Sequence, residues 1–132
     1  MTDLVTLFQK ALEARKNAYA PYSDFKVGAA VLTKNAKIYV GANTENVSFP
    51  CGTCAEEAAI AAMITNGERT ISEIVVVANS KNLITPCGAC LQRILEFSNS
   101  QTTVHLANLK GIQKSYKIAE LLPVAFHEEF KK

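Results

Sequence analysis

The chain has 132 residues, the usual size of one domain and long enough to bury a hydrophobic core. Hydrophobic residues make up 48% and charged residues 20%, which excludes a disordered or fibrous chain. The net charge is only +2 and the basic residues are scattered, which argues against nucleic acid as a partner.

The first half of the chain predicts a helix followed by a β-hairpin. Apolar residues recur at helical spacing from Leu4 to Leu12, and this helix should end before the turn at 20–23 and cover one face of a sheet. The short apolar runs 27–32 and 38–40 favour an antiparallel hairpin, although Ala36 stands in the turn where glycine is usual. A loop over residues 43–53 follows.

The second half predicts helices alternating with strands. The segment after Cys54 is a helix with apolar residues nearly all round, so we expect it to be central and buried. Ile74–Ala78 has the continuous apolar character of a parallel strand covered on both faces. Further helices are predicted at 88–97 and 118–122, and further strands at 102–107 and 112–116. The pattern predicts one domain over residues 1–132, an α/β fold with a three-layer α/β/α sandwich and a five-stranded mixed sheet.

The cysteines carry most of the functional information. No apolar run approaches the roughly 20 residues of a membrane span, and residues 1–16 show no secretory pattern, so we expect a cytoplasmic protein without membrane contact. In a reducing compartment, four cysteines grouped in two pairs indicate metal ligands or redox groups before disulfides.

Three of the cysteines are placed to share one ion. Cys87 and Cys90 are three apart on a helix that begins after Pro86, so their sulfurs share a face, and Cys54 at another helix start can add a third. Both groups would lie at helix N-termini, which lower thiol pKa values and favour thiolates. Three thiolates on zinc leave a position for a water of increased acidity, whose proton Glu56 can accept.

These motifs carry a family resemblance. Cys54-Ala55-Glu56, an apolar helix and then Pro86-Cys87-Gly88-Ala89-Cys90 resemble the short homotetrameric cytidine deaminases, a branch of the zinc-dependent deaminases. Segments 21–30, 43–46 and 120–126 also match, so the resemblance covers nearly the whole chain. It implies one Zn²⁺ per subunit, held by Cys54, Cys87 and Cys90. It also implies hydrolysis of free cytidine and deoxycytidine to uridine, deoxyuridine and ammonia in pyrimidine salvage, with Glu56 shuttling the proton.

The same resemblance implies the substrate contacts. Asn43 and Glu45 would hydrogen-bond the ribose hydroxyls, Phe25 would line the pyrimidine pocket, and the backbone at Ala55 would read the polar edge of the ring. Residues of neighbouring subunits would complete each site in a homotetramer, namely Val47, Phe49 and Phe126. A cysteine as first ligand is typical of the branch acting on free nucleosides, whereas deaminases of nucleic acids usually carry histidine there.

Two positions depart from the family pattern. Many members have arginine after the catalytic glutamate and after the last cysteine, where this chain has Glu57 and Leu91. Arginines hydrogen-bonded to the thiolates would help to preserve the acidity of the metal. Arg93, two residues beyond Leu91, should point away and not substitute for them. We therefore hypothesise that the helix N-termini carry more of the charge compensation in this chain.

Other interpretations of the cysteines stay open. Cys51 and Cys54 with Cys87 and Cys90 also form two Cys-x-x-Cys pairs, typical of a closed structural zinc site that recruits a partner. However, Cys54 and Cys87 are 33 positions apart, whereas structural pairs are usually about 15 to 20 apart, and a closed site has no use for Glu56. A thioredoxin-like redox role would need a single pair after the first strand. The nearest enzymatic rival is a deaminase for a related aminated ring, such as a nucleoside antibiotic.

Taken without the motif context, the remaining candidates have ordinary explanations. Asn43 and Glu45 alone are typical of solvated loop residues, and the three phenylalanines alone are typical of a core. Val47 has no independent functional signal. His105 and His127 are expected to be structural or solvent-facing rather than metal ligands.

Overall fold

A computed structural model describes residues 3–126, and His127 lies outside that range. The elements in chain order are α1 Leu4–Arg15, β1 Val27–Thr33, β2 Ile38–Ala42, a 3-10 turn Phe49–Cys51, α2 Ala55–Thr65, β3 Ile71–Ala78, α3 Gly88–Glu96, β4 Ser98–Asn108, β5 Gly111–Lys117 and α4 Ile118–Leu121. Every predicted helix and strand is therefore confirmed, and the main differences are longer strands. No helix within residues 3–126 has the length and apolar character needed to cross a membrane.

The five strands form one mixed sheet in the order β2-β1-β3-β4-β5. The β3–β4 pair is parallel and the other three pairs are antiparallel. The predicted hairpin is present, with Leu32 opposite Ile38 and with Ala36 in the left-handed region at a φ of 63°. The parallel pair needs a long crossover, and α3 is part of it.

Two hydrophobic cores lie on opposite faces of the sheet, because successive strand side chains alternate between the faces. On one face, α1 packs its buried residues Leu7 and Ala11 against Ala30, Val75 and their neighbours. On the other face, α2, α3 and α4 pack against residues such as Ala29 and Val76. This arrangement confirms the three-layer α/β/α sandwich.

Helix α2 packs closely against the β1–β2 hairpin, with Gly41 of β2 beside Ala59 of α2. Residues Ala55, Ala59 and Met63 are buried, whereas Ala61 is exposed in the single chain. The expected burial is therefore present on the side of α2 that faces the sheet, whereas the opposite side is open in the single chain. The close approach matters for function because α2 begins at the cysteine motif.

Candidate active site

The cysteines lie at two helix starts near the same end of the sheet. Cys54 is the N-cap residue of α2, Cys87 is the N-cap residue of α3, and Cys90 lies in the first turn of α3. Helix α3 follows the carboxyl end of β3, where Ala78 pairs with the first residue of β1, Val27. The sheet topology therefore brings together two motifs that are far apart in the sequence.

One cavity of about 240 Å³ is lined by six of the predicted site residues. They are Asn43, Cys54, Ala55, Glu56, Cys87 and Cys90. Its volume is below the roughly 300 to 1,000 Å³ typical of pockets for drug-sized ligands, so it suits a small group such as a single ring. Ile84 and Thr85 also line it, and sequence reasoning missed them although they directly precede the Pro86 motif.

The loop that carries Asn43 is tied directly to the start of α2. Thr44 and Thr53 exchange two backbone hydrogen bonds, each of 2.9 Å between nitrogen and oxygen. This bridge places Asn43, before Thr44, beside Cys54, after Thr53. The fourth cysteine, Cys51, lies in the exposed 3-10 turn and is not among the residues that line the cavity. That position does not support a closed site of four cysteines.

Glu56 is a buried carboxyl group in this cavity, with only 6% of the residue exposed. Burial raises its pKa, and hydrogen bonding to its own backbone N–H, the charge of Arg93 and a hydrogen bond with Cys90 only partly oppose this. A carboxyl group whose pKa is raised toward neutrality can both accept and return a proton. This property suits Glu56 to general acid–base catalysis.

The thiols of Cys54 and Cys90 also have raised pKa values. Burial is the main cause for both, and the negative charges of Glu56 and Cys87 add to it, while the two thiols lie within hydrogen-bonding range of each other. In the absence of a metal ion, burial and crowded negative charge therefore favour the neutral thiols of Cys54 and Cys90.

The donor chemistry of the cavity fits a zinc ion. Within residues 3–126 no three His, Cys, Asp or Glu side chains are already arranged to hold a metal ion. Cys54, Cys87 and Cys90 nevertheless line one cavity, and the crowding raises the cost of ionising the Cys54 and Cys90 thiols, which a bound cation would offset. Sulfur donors of this kind favour zinc over calcium or magnesium.

Arg93 contacts the site, contrary to the sequence-based expectation. Its Nη1 atom donates a hydrogen bond to the Cys90 sulfur at 3.7 Å, and its Nη2 atom is 3.5 Å from an oxygen of Glu57. Arg93 is two residues from Leu91, a spacing that points two helical side chains apart. It is three residues from Cys90, however, and residues three apart on a helix share a face.

Two further candidates, Asn43 and Glu45, are held by backbone contacts. The Asn43 carboxamide accepts a hydrogen bond from the Val27 nitrogen and donates one to the Phe25 carbonyl oxygen, both at 2.9 Å. Glu45 accepts hydrogen bonds from the Tyr22 nitrogen at 2.9 Å, the Ser23 nitrogen at 3.1 Å and the Ser23 hydroxyl. The Ser23 hydroxyl is the main cause of a lowered pKa for the Glu45 carboxyl.

The structure does not gather every candidate around the cysteines. Glu45 and Phe49 line a separate pocket of about 470 Å³ with Tyr22, whose ring centroid is 6.2 Å from that of Phe49. Phe25 is half-buried and does not line the cysteine cavity. Val47, Phe49 and Phe126 are 78%, 77% and 73% exposed, respectively, in the single chain.

His105 is also remote from the cysteines. It is buried in β4, with its Nε2 atom 2.7 Å from Glu73 and its Nδ1 atom 2.6 Å from the Ser115 hydroxyl. The residue does not line the cavity that contains the cysteines.

Comparisons with known proteins agree with this geometry. Residues 1–106 match the family described as cytidine and deoxycytidylate deaminase zinc-binding region. The cytidine deaminases of Sporosarcina psychrophila and Halalkalibacterium halodurans are each 42% identical over 127 residues, which is 96% of this chain and 93% and 96% of theirs. The crystal structure of cytidine deaminase from Burkholderia pseudomallei superposes with a TM-score of 0.88 at 40% identity, covering 96% of this chain and all of that one.

Proposed function

Because the chain belongs to the zinc-binding cytidine and deoxycytidylate deaminase family of enzymes, we propose that it hydrolyses cytidine and deoxycytidine to uridine and deoxyuridine. The observation that carries the proposal is the single cavity lined by Cys54, Cys87, Cys90 and the buried Glu56. The relatives named above as cytidine deaminases support cytosine as the base of the substrate. The match covers nearly their whole length, which supports proposing their complete reaction for this chain.

In the proposed reaction, Cys54, Cys87 and Cys90 hold one Zn²⁺ per subunit. When bound, the ion supplies a Lewis acid that makes water nucleophilic near neutral pH. Glu56 accepts a proton from the attacking water and passes it to N3 of the pyrimidine ring, while the water oxygen forms a bond to C4. Glu56 then accepts the remaining proton of the C4 hydroxyl and transfers it to the exocyclic nitrogen, so that the C4–N bond breaks, the C4 carbonyl forms and ammonia leaves.

The sugar contacts are assigned to Asn43 and Glu45. Two of the four lone-pair sites of the Glu45 carboxylate accept backbone N–H groups and a third accepts the Ser23 hydroxyl, which leaves about one site for a ribose hydroxyl. Asn43, held by two backbone contacts, keeps one amide hydrogen and one lone pair for the same purpose. Both side chains would thus meet the sugar in fixed orientations.

The pyrimidine pocket is completed in the proposal by Phe25, by the backbone of Ala55, and by a homotetramer. The exposure of Val47, Phe49 and Phe126 supports contacts with neighbouring subunits, because large apolar side chains gain free energy when another surface covers them. We assign the enzyme to pyrimidine salvage in the cytoplasm, with free nucleosides rather than nucleic acid as substrates.

The test of this function is the Glu56→Gln variant with zinc content measured in parallel. We expect wild type to release ammonia from cytidine with loss of its ultraviolet absorbance, and Glu56→Gln to keep its zinc while losing at least about 10²-fold in turnover. Glu68→Gln is the matched control, because Glu68 contacts Asn35 on the surface. A folded, zinc-loaded wild type that leaves cytidine and deoxycytidine unchanged would instead favour the structural zinc site.

A further inference from the structure

A chain of polar contacts connects the two cysteine-bearing helix starts. The Cys54 backbone nitrogen donates a hydrogen bond to Oε1 of Glu57 at 3.4 Å. Oε2 of the same Glu57 is 3.5 Å from Nη2 of Arg93, and Nη1 of Arg93 donates a hydrogen bond to the Cys90 sulfur at 3.7 Å. The contacts therefore run from the backbone at the start of α2 to a sulfur in the first turn of α3.

We propose that Arg93, oriented by Glu57, is a positioning residue that holds the Cys90 sulfur in place and thereby slows the loss of zinc. The inference rests on the zinc site of the proposed function. It adds to the hypothesis that the helix N-termini carry more of the charge compensation in this chain, because a guanidinium group lies against one of the three sulfurs. It also gives Glu57 a function, which is to hold that guanidinium group.

The geometry requires an arginine rather than any cation. Arg93 uses two different nitrogens of one planar group, one for Glu57 and one for Cys90. A lysine has a single ammonium group on a flexible stem and does not reproduce this fixed fork. Glu57 contributes in the same way, because its two oxygens separate the contact with Cys54 from the contact with Arg93.

Burial and charge explain why the contact would act on the metal rather than on general stability. The side chains of Arg93 and Glu57 are 40% and 37% exposed, and ion pairs with such exposure contribute little to folding. Cys90 is only 1% exposed, so Arg93 donates to a buried sulfur. Three thiolates on one Zn²⁺ leave the centre with a net negative charge, which the guanidinium group partly offsets.

The experiment measures the rate at which the zinc-loaded protein loses its metal to a chromogenic chelator. We expect Arg93→Met to lose zinc about tenfold or more faster than wild type, which is the size of effect that such outer contacts have on metal affinity. Arg93→Lys should fall between the two. Arg69→Met is the matched control, because Arg69 hydrogen-bonds backbone carbonyl oxygens at the opposite end of α2.

A double variant separates positioning by Glu57 from an independent effect. Glu57→Gln should accelerate zinc loss less than Arg93→Met does, and the double variant should lose zinc no faster than Arg93→Met alone. The Co²⁺-loaded proteins give a second readout, since the thiolate-to-cobalt absorption band should shift in Arg93→Met and stay unchanged in Arg69→Met. Thermal unfolding shows whether each variant folds, and Arg93→Lys serves if Arg93→Met does not.

The outcomes distinguish this inference from the proposed function. Zinc loss and cobalt spectra equal to wild type in both Arg93 variants would overturn the role of Arg93 while leaving the zinc site intact. Additive effects in the double variant would overturn the role of Glu57. A wild type that binds no zinc, or a Cys90→Ser variant that keeps it as tightly, would remove the proposed site and this inference together.

Discussion

Gly41 in β2 and Ala59 in α2 are in backbone contact, so that a Cβ atom on Gly41 would lie 2.4 Å from the Ala59 nitrogen. Real Cβ atoms do not approach backbone atoms this closely. The contact sets the height of α2 above the sheet, and α2 carries Cys54 at its N-terminus. Packing of the hairpin therefore bears on the position of a predicted zinc ligand.

Replacing Gly41 with alanine should displace α2 and destabilise the fold by about 1–3 kcal/mol, the usual cost of overpacking. The measurement is chemical unfolding by urea with circular dichroism. Gly88→Ala is the matched control, because nothing lies within 4 Å of a Cβ atom at that position. Equal stability of the two variants would show that β2 and α2 separate easily.

The Ala36→Gly variant should be more stable than wild type. Ala36 has a φ of 63°, a left-handed conformation that costs a residue with a Cβ atom about 1–2 kcal/mol, while glycine loses roughly 0.5–1 kcal/mol through chain entropy. We expect a net gain of about 0.5–1 kcal/mol from the difference of these ranges, measured as a higher urea midpoint. Ala61→Gly, on the exposed side of α2, should instead lower the free energy of unfolding by about 1 kcal/mol.

The contacts of Glu45 should weaken in acid. The pKa of the Glu45 carboxyl is lowered from 4.5, mainly by the Ser23 hydroxyl. A carboxyl group with a lowered pKa stabilises the fold at pH values above its pKa in the unfolded chain. That stabilisation is lost as the pH falls through its pKa in the folded protein. Glu45→Gln should therefore be less stable than wild type near neutral pH, with the difference shrinking below about pH 4.5. Urea midpoints against pH measure this, and a constant difference would contradict it.

The Asn43→Ala variant should lose stability as well as substrate affinity. Removing the carboxamide leaves the Val27 nitrogen and the Phe25 carbonyl oxygen without their partners, at a cost of about 1–3 kcal/mol. Asn35→Ala is the control, because Asn35 contacts only the exposed Glu68 side chain among the hydrogen bonds described for it. If both variants unfold at the same urea midpoint, the two backbone contacts of Asn43 do not contribute to stability.

The role of Cys51 can be tested by metal content. Cys51 lies in the exposed 3-10 turn away from the cavity, so Cys51→Ser should keep its zinc, whereas Cys90→Ser should lose it. The measurement is zinc per protein after dialysis. Equal loss from both variants would support a closed site of four cysteines.

The sequence could predict the fold because its signals are local. Apolar alternation, continuous apolar runs and the helical spacing near Leu7 and Ala11 each depend on neighbours a few residues apart. The strand ends were less well predicted. β4 begins at Ser98, and the polar residues before Thr102 give no apolar signal there.

The site could be predicted in part, for the same reason. Cys87 and Cys90 share a short motif, so their common cavity was foreseeable. The contact of Glu45 with Ser23 joins residues 22 apart through loops, and no periodicity reports such a pairing. The contact of Arg93 with Cys90 spans three residues of one helix, a local spacing that the sequence does contain.

The thiol-bearing segments flank the central strand of the sheet. Cys54 precedes β3 in the chain and Cys87 follows it, while β3 itself is hydrogen-bonded to β1 on one side and β4 on the other. A chain emerging from the ribosome cannot assemble the three sulfurs until residue 90 has been synthesised and β3 has joined β1. In the proposed site, zinc binding therefore depends on tertiary contacts around β3, and neither cysteine motif can complete the site alone.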